Sequence, residues 1–456
     1  MGWGQKSRKR SSARSDWRDA RDEVTGLATY AAFVHHCADA VGSRTSETQP
    51  AVLLVDLEGV TEAVHADGQA ASDELLRTVA SRMSREVGST GVLARMSDHQ
   101  FGVLFPAVST PAVALDLAYR LVSAVSTPVV LASERRAQLS ASCGLVTWDS
   151  MSLRAGVDEM LRGAGLAVRD ARRAGRNRIE VCTADLIAVA DETLAIGKDL
   201  RKALDDKGLR VCYQPLVDLT DGTVIGFEAL VRWSHPVHGH VSPSRFVPVA
   251  EEFGLISELG RMVLSTASAQ VAQWSSMFRI PLDVHVNVSG LDLAAEGFVA
   301  MVEDCLAGSG LSNAQLVLEV TEAAVEPELE IAGERFRALH DIGVRVALDD
   351  FGTGRSALAY LQSLAVDILK VDKTQLDEDD EQRAEDLLRG VIGLGQALGM
   401  VIYGEGIEDE AQRTRLRRNG CGIGQGYLFA RPLPPEDAAA YLRSQTAAAT
   451  PAGLHI

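Results

Sequence analysis

The feature that most constrains this chain is a ladder of short apolar runs in its second half, most of them closing on a polar or charged residue. From about residue 209 the runs LRVCYQPLV, VIGFEALVRW, LDVHVNVS, AQLVLEVTE, VRVALDDFG, VDILKVD, MVIYGEG and GYLFARP recur with helical patterns between them. Strand-length apolar runs alternating with helices are the signature of parallel βα units. Eight of them over residues 208–445 predict one (β/α)8 barrel. The remainder divides into a basic tail (1–20), a mixed α/β segment (21–182), a helical connection (183–207) and a terminal tail (446–456).

The polar ends of the runs matter because a barrel of this kind gathers its C-terminal strand ends on one face. They are Glu228, Asn287, Glu319 with Glu322, Asp349 with Asp350, Lys370 with Asp372, and Glu405. A single acidic residue after a strand is usually a helix cap or a solvated carboxylate. Six strands in succession delivering such groups is a different matter. Carboxylates crowded into one low-dielectric mouth repel one another and require protons or cations. Oxygen donors from Asp, Glu and Asn suit Mg²⁺ or Mn²⁺. Two such ions about 3.5–4 Å apart can activate water and stabilise a leaving oxygen in phosphodiester cleavage. The glycines of Asp349-Asp350-Phe351-Gly352-Thr353-Gly354 allow a tight, mobile loop beside the paired aspartates.

Composition narrows the remaining choices. A net charge of −17 argues against broad nucleic-acid binding. The six cysteines form no CxxC pair and suggest neither a zinc site nor a disulfide framework, which fits a reducing cytoplasm. No apolar run reaches the roughly 18 residues of a membrane span, and the basic start lacks the apolar core of a secretory signal.

The ordered motifs YQPLVDL (213–219), FEALVRW (227–233), HVNVSG (285–290), LEVTE (318–322), DDFGTG (349–354), LKVDK (369–373), GEGIE (404–408) and QGYLFARPLP (425–434) resemble the EAL-type cyclic di-GMP phosphodiesterases over about residues 195–445. The resemblance implies a barrel with one antiparallel strand and hydrolysis of cyclic di-GMP to linear pGpG. It implies metal ligation by Glu228, Asn287, Glu319 and Asp349, with Asp350 bridging to a second Mg²⁺ or Mn²⁺. Lys370 would orient the attacking water, and Glu405 would complete the water network as a general-base candidate. Glu322 would anchor the DDFGTG loop. Gln214, Arg232, Gln425 and Pro434 would line the nucleotide site, Arg232 being suited to a phosphate. Two departures, Gly404 where alanine is usual and Arg355 where an aromatic is common, remove no ligand. A homodimer is the family's common assembly. The alternative is a catalytically silent cyclic di-GMP receptor; such receptors usually lose members of the carboxylate–lysine cluster, and this chain keeps them.

The segment 21–182 resembles the GGDEF diguanylate cyclases through DEVTGLATY (22–30), LLVDLEG (53–59), SCGLV and GRNRIEV (175–181). It predicts an α/β domain with a central, mainly antiparallel sheet. Its signature hairpin is altered to Ser97-Asp98-His99-Gln100. Asp56 remains as a lone metal-type carboxylate, and Val64 stands where an asparagine would read guanine. Gly88 and Gly91 stand where the inhibitory RxxD would lie. The segment is therefore expected to be degenerate as a cyclase and to serve in dimerisation or partner docking.

Overall fold

The computed structural model describes residues 20–45, 47–89, 91–148, 156–349, 351, 364–372 and 381–449. The chain divides into two units, Met1–Leu194 and Ala195–Ile456. The division falls inside the helix Ala184–Asp205, within the segment expected to connect them.

Unit one is built on strand β2 (Gln49–Glu58), whose apolar run is paired on both sides. Its antiparallel neighbours are β4 (Gln100–Val108) and β7 (Ser140–Thr147). β3 (Val92–Arg95) pairs antiparallel with β4, while β1 (Ala28–Thr29) and β8 (Ile179–Val181) add parallel edges. The sheet order is β1-β3-β4-β2-β7-β8. A separate two-stranded pair joins β5 (Val129–Val130) to β6 (Arg136–Ala137). Side chains alternate across a strand, so Leu53 and Val55 enter one core with residues of the helices Gln69–Val87 and Pro111–Ser126. Val52 and Leu54 enter the other, with residues of the helices Tyr30–Ser43 and Val157–Ala174. Gly144 permits the last of these contacts: a Cβ there would lie 2.1 Å from the Ala164 carbonyl oxygen.

Unit two is a closed eight-stranded barrel with a short lateral strand. Its strands are β9 (Leu209–Asp218), β10 (Val224–His235), β12 (Asp283–Asn287), β13 (Leu316–Thr321), β14 (Arg345–Asp349), β15 (Ile368–Val371), β16 (Val401–Gly404) and β17 (Ile423–Gly424). The lateral strand β11 (Gly239–Val241) pairs with the end of β10. β9 runs antiparallel to both β10 and β17, and the other barrel contacts are parallel. The expected barrel with one antiparallel strand is thus the fold.

One strand differs from the sequence reading. The run GYLFARP was expected to be the eighth strand, but the strand is Ile423–Gly424 and the run after it turns. Leu428 N–H donates to the Ile407 carbonyl and Phe429 N–H to that of Gly426. Leu428 and Phe429 pack as part of this turn against the core that holds Ile407, while Tyr427 stays half exposed, and apolarity alone does not distinguish that from a strand.

Period two also organises the barrel interior. Leu216, Val317, Ala347, Ile368 and Tyr403 form its apolar plug. Two residues further along come Glu319 on β13, Asp349 on β14, Lys370 on β15 and Glu405 just past the end of β16, so the polar layer stands directly on the apolar one. Outward residues such as Val284, Val286, Leu318 and Leu348 belong to the larger core shared with the surrounding helices.

Candidate active site

Lys370 is the hub of the mouth. Its side chain is 1% exposed, and its Nζ lies 2.6 Å from Glu405 Oε1 and 2.7 Å from Glu319 Oε2. Glu228 Oε2 and Asp349 Oδ2 are each 3.8 Å away. Neighbouring strands thus bring four carboxylates to one ammonium. Two amides tie the cluster together. Asn287 Nδ2 donates to Glu228 Oε1 at 2.8 Å. Gln425 Nε2 donates to Glu228 Oε2 at 2.5 Å and to Glu405 Oε1 at 2.8 Å.

One ammonium does not neutralise four carboxylates. Burial would drive Lys370 down, but Glu228, Glu319, Glu405 and Asp349 together hold it well above the usual lysine range. Burial pushes Glu319 up, and repulsion from Glu228 and Asp349 adds to it, outweighing Lys370. Glu405 is raised for the same reasons, burial first and its three carboxylate neighbours after. Glu228 goes the other way: burial opposes ionisation, yet Lys370 and the Gln425 and Asn287 amides hold its carboxyl below the usual range. Without an added cation, the excess charge therefore shifts Glu319 and Glu405 towards their protonated forms.

Beneath Glu319 lies His285, fully enclosed, with Nδ1 2.7 Å from Glu319 Oε1. Burial, with Lys370 nearby, pushes the imidazole down to about 3, so it is neutral; against an ionised Glu319, which can only accept, the ring proton lies on Nδ1 and is donated to Oε1. The ladder of strand ends did not single out this residue. The available signal was a histidine two positions before Asn287, on the same inward face of a strand.

The other expected residues are distributed around this hub. Gln214 Nε2 donates to the Ala430 carbonyl at 3.2 Å, fixing the segment after β17. Pro434 follows the backbone bridge between Tyr213 and Leu433, and its carbonyl accepts from Ala438 in the helix Pro435–Ala449. Arg232 does not join the carboxylates. Its Nη1 donates to the Val231 carbonyl at 2.9 Å, and the residue lines an adjoining cavity of about 640 Å³ together with Glu228, Asn287 and Asp349. Glu322 is buried at the start of the helix Glu322–Val325. Asp350 and Gly352, Thr353 and Gly354 of the loop it was expected to anchor lie outside the described residues, as does Arg355.

Among the described residues, no three His, Cys, Asp or Glu side chains form a ready-made metal cage. The donor chemistry nonetheless fits a hard divalent cation: the gathered groups are oxygen donors, and their charge exceeds what Lys370 offsets. The Gln425 Oε1 atom is buried with no hydrogen-bond partner among the described residues.

In unit one, Asp56 is 1% exposed and is met by the Arg172 guanidinium and by His99 Nε2, the latter at 3.5 Å. Arg95, at the base of the altered hairpin, pairs with Asp22 at 3.3 Å and donates to the backbone carbonyls of Ser97 and Asp98. Among the described residues, no helix is long and apolar enough to cross a membrane.

Known proteins share both the sequence and the barrel. Residues 198–432 match the EAL domain family, and residues 19–178 match the family described as diguanylate cyclase, GGDEF domain. The bifunctional diguanylate cyclase/cyclic di-GMP phosphodiesterase MucR of Pseudomonas aeruginosa is 36% identical over 391 residues, covering 85% of this chain and 56% of that protein. The cyclic di-GMP phosphodiesterase NbdA of the same organism is 33% identical over 435 residues, covering 94% of this chain and 55% of that one. The solved structure of the PaMucR phosphodiesterase in complex with c-di-GMP shares 38% identity at a TM-score of 0.51, covering 54% of this chain and 99% of that one. The chain spans about half the length of several curated relatives that it matches. With the EAL match covering more than half of its residues, behind a GGDEF match, this chain belongs to the EAL domain family.

Proposed function

We propose that this chain hydrolyses cyclic di-GMP to linear pGpG at the mouth of its barrel. The observation that carries this reading is the convergence of Glu228, Glu319, Asp349 and Glu405 on Lys370 Nζ. The match to MucR and NbdA, both named for cyclic di-GMP phosphodiesterase activity, supports it. Water adds across one phosphodiester bond: its oxygen joins phosphorus, the P–O3′ bond breaks, and its proton reaches the released 3′ oxygen.

Phosphodiesterases of the EAL family depend in general on divalent metal. Glu228, Asn287, Glu319, Asp349 and Asp350 would hold two ions, Mg²⁺ or Mn²⁺. When bound, such ions lower the pKa of water and offset charge on the phosphate. The protein's own groups do the rest. Glu405, bonded to both Lys370 and Gln425, takes up the proton of the attacking water. Lys370 holds that water and keeps the carboxylates together. Gln425 fixes Glu228 and Glu405 relative to each other. Arg232 leaves its backbone contact to meet a substrate phosphate, while Gln214 and Pro434 shape the opposite wall. Glu322 supports the loop that carries Asp350.

Unit one acts in this reading as a regulatory or dimerising module of a cytoplasmic homodimer, not as a cyclase. The support is Asp56, whose carboxylate is already engaged by Arg172 and His99. The test is incubation of the full chain with cyclic di-GMP and Mg²⁺ or Mn²⁺, with and without GTP, followed by chromatography. Appearance of pGpG with GTP left intact is the expected result. Cyclic di-GMP bound without turnover would replace the enzyme with a receptor.

A further inference from the structure

We infer that His285 is a positioning residue whose Nδ1–H sets the orientation of the Glu319 carboxylate and so tunes the affinity of the mouth for divalent cation. This rests on the function proposed above and extends it to a residue below the polar layer.

The argument begins with strand periodicity. The interior layer beneath the functional groups is apolar: Val317 lies under Glu319, Ala347 under Asp349, Ile368 under Lys370 and Tyr403 under Glu405. On β12, two residues below Asn287, the corresponding position is histidine. A fully enclosed imidazole in an apolar layer is costly unless its polar atoms are matched. One of them is matched, by Glu319 Oε1 at 2.7 Å on the adjacent strand. The other, Nε2, is buried with no hydrogen-bond partner among the described residues. The Tyr403 ring, 5.3 Å away and tilted by 34°, helps to confine the imidazole.

Two fixed contacts leave the Glu319 carboxylate little freedom. Oε1 is turned down to His285, and Oε2 is turned to Lys370 Nζ at 2.7 Å. Register adds a third restraint, since Glu319 stands opposite both Asn287 and Ala347 in the ladder. A carboxylate held this way presents its oxygens to a cation without first losing rotamer freedom, and hydrogen bonds to a ligating group generally tighten a metal site.

The test is Mn²⁺ binding to the metal-free full chain by calorimetry, with cyclic di-GMP turnover measured across a Mn²⁺ titration. His285→Val removes the donor, and His285→Asn restores a short one. The valine variant is expected to bind Mn²⁺ about tenfold more weakly. Its half-activating Mn²⁺ concentration should rise alongside, while kcat at saturating Mn²⁺ falls less. The asparagine variant should recover most of the affinity. A role in packing alone would weaken neither binding nor activation selectively. If the valine variant does not fold, His285→Ser, whose hydroxyl is too short to reach Glu319, takes its place in the same comparison. Wild-type affinity in the donor-less variant, or an equal loss in the asparagine variant, overturns the assignment of His285. Absence of Mn²⁺ binding in the wild-type chain overturns the metal-dependent reading of the whole mouth, and His285 with it.

Discussion

Lys370 Nζ lies 2.6 Å from Glu405 Oε1, and the same ammonium is within 3.8 Å of Glu228 and of Asp349. A buried lysine thereby takes on part of the charge compensation that the crowded carboxylates require. Removing it tests how much. Lys370→Met is expected to lower the stability of the metal-free protein by about 3 kcal/mol at neutral pH, the usual scale for breaking a buried ion pair. Turnover should be lost. Thermal unfolding with and without Mn²⁺ checks the first expectation, and added Mn²⁺ should restore part of the stability.

Glu228 accepts hydrogen bonds from both Asn287 and Gln425. Glu228→Ala takes the acceptor from the Asn287 amide, leaves the buried Gln425 amide with Glu405 alone, and removes one candidate ligand. The expected loss in kcat is about 10³-fold, on the order of 4 kcal/mol of barrier. Near-normal hydrolysis by this variant in a chromatographic assay would show that Glu228 has been misassigned.

The raised carboxyls of Glu319 and Glu405 predict how stability follows pH. A carboxyl whose folded pKa is raised stabilises the fold fully below its unfolded value, near 4, and loses that contribution as pH rises through the folded value. The metal-free protein should therefore become less stable as pH climbs from about 4 towards neutrality and beyond. Divalent cation opposes the loss by taking the place of the protons. The rise in melting temperature on adding Mn²⁺ should be larger at about pH 8 than at about pH 6. An equal or smaller rise at the higher pH would contradict this electrostatic account.

Gly426 lies where the turn after β17 meets the loop after β16. A Cβ there would stand 2.0 Å from the Ile407 carbonyl oxygen and 2.2 Å from its nitrogen. Backbone cannot yield as a side-chain end can, so Gly426→Ala should destabilise unit two by about 1–3 kcal/mol. It should also displace Gln425 and reduce turnover more than the stability loss explains. Gly404→Ala is the control: its Cβ meets chiefly the end of Leu416, at 2.7 Å, and a flexible side chain can move. Denaturant unfolding and kcat for the two variants make the comparison.

How much of this was legible beforehand differs from residue to residue. Apolar runs ending in Glu319, Asp349, Lys370 and Glu405 specify strands whose ends share a face, because barrel closure leaves them nowhere else to go. The mixed pattern of residues 21–182 similarly specifies a two-faced sheet. The eighth strand was misplaced because Tyr427, Leu428 and Phe429 are as apolar as a strand, whereas the backbone here turns, Leu428 N–H bonding to Ile407 and Phe429 N–H to Gly426. His285 escaped notice because one histidine in an alternating strand carries no local mark of a partner 34 residues away.

By itself, then, the sequence determined the order of strands, the alternation that sends one set of side chains inward, and which polar residues reach the mouth. These follow from local periodicity and chain connectivity. Only the tertiary structure decided that Lys370 sits among four carboxylates, that Gln425 bridges two of them, that Arg232 stands apart, and that His285 supports Glu319 from below. Those are through-space relations between strands far apart in the chain, and they depend on the register and closure of the barrel rather than on any local pattern.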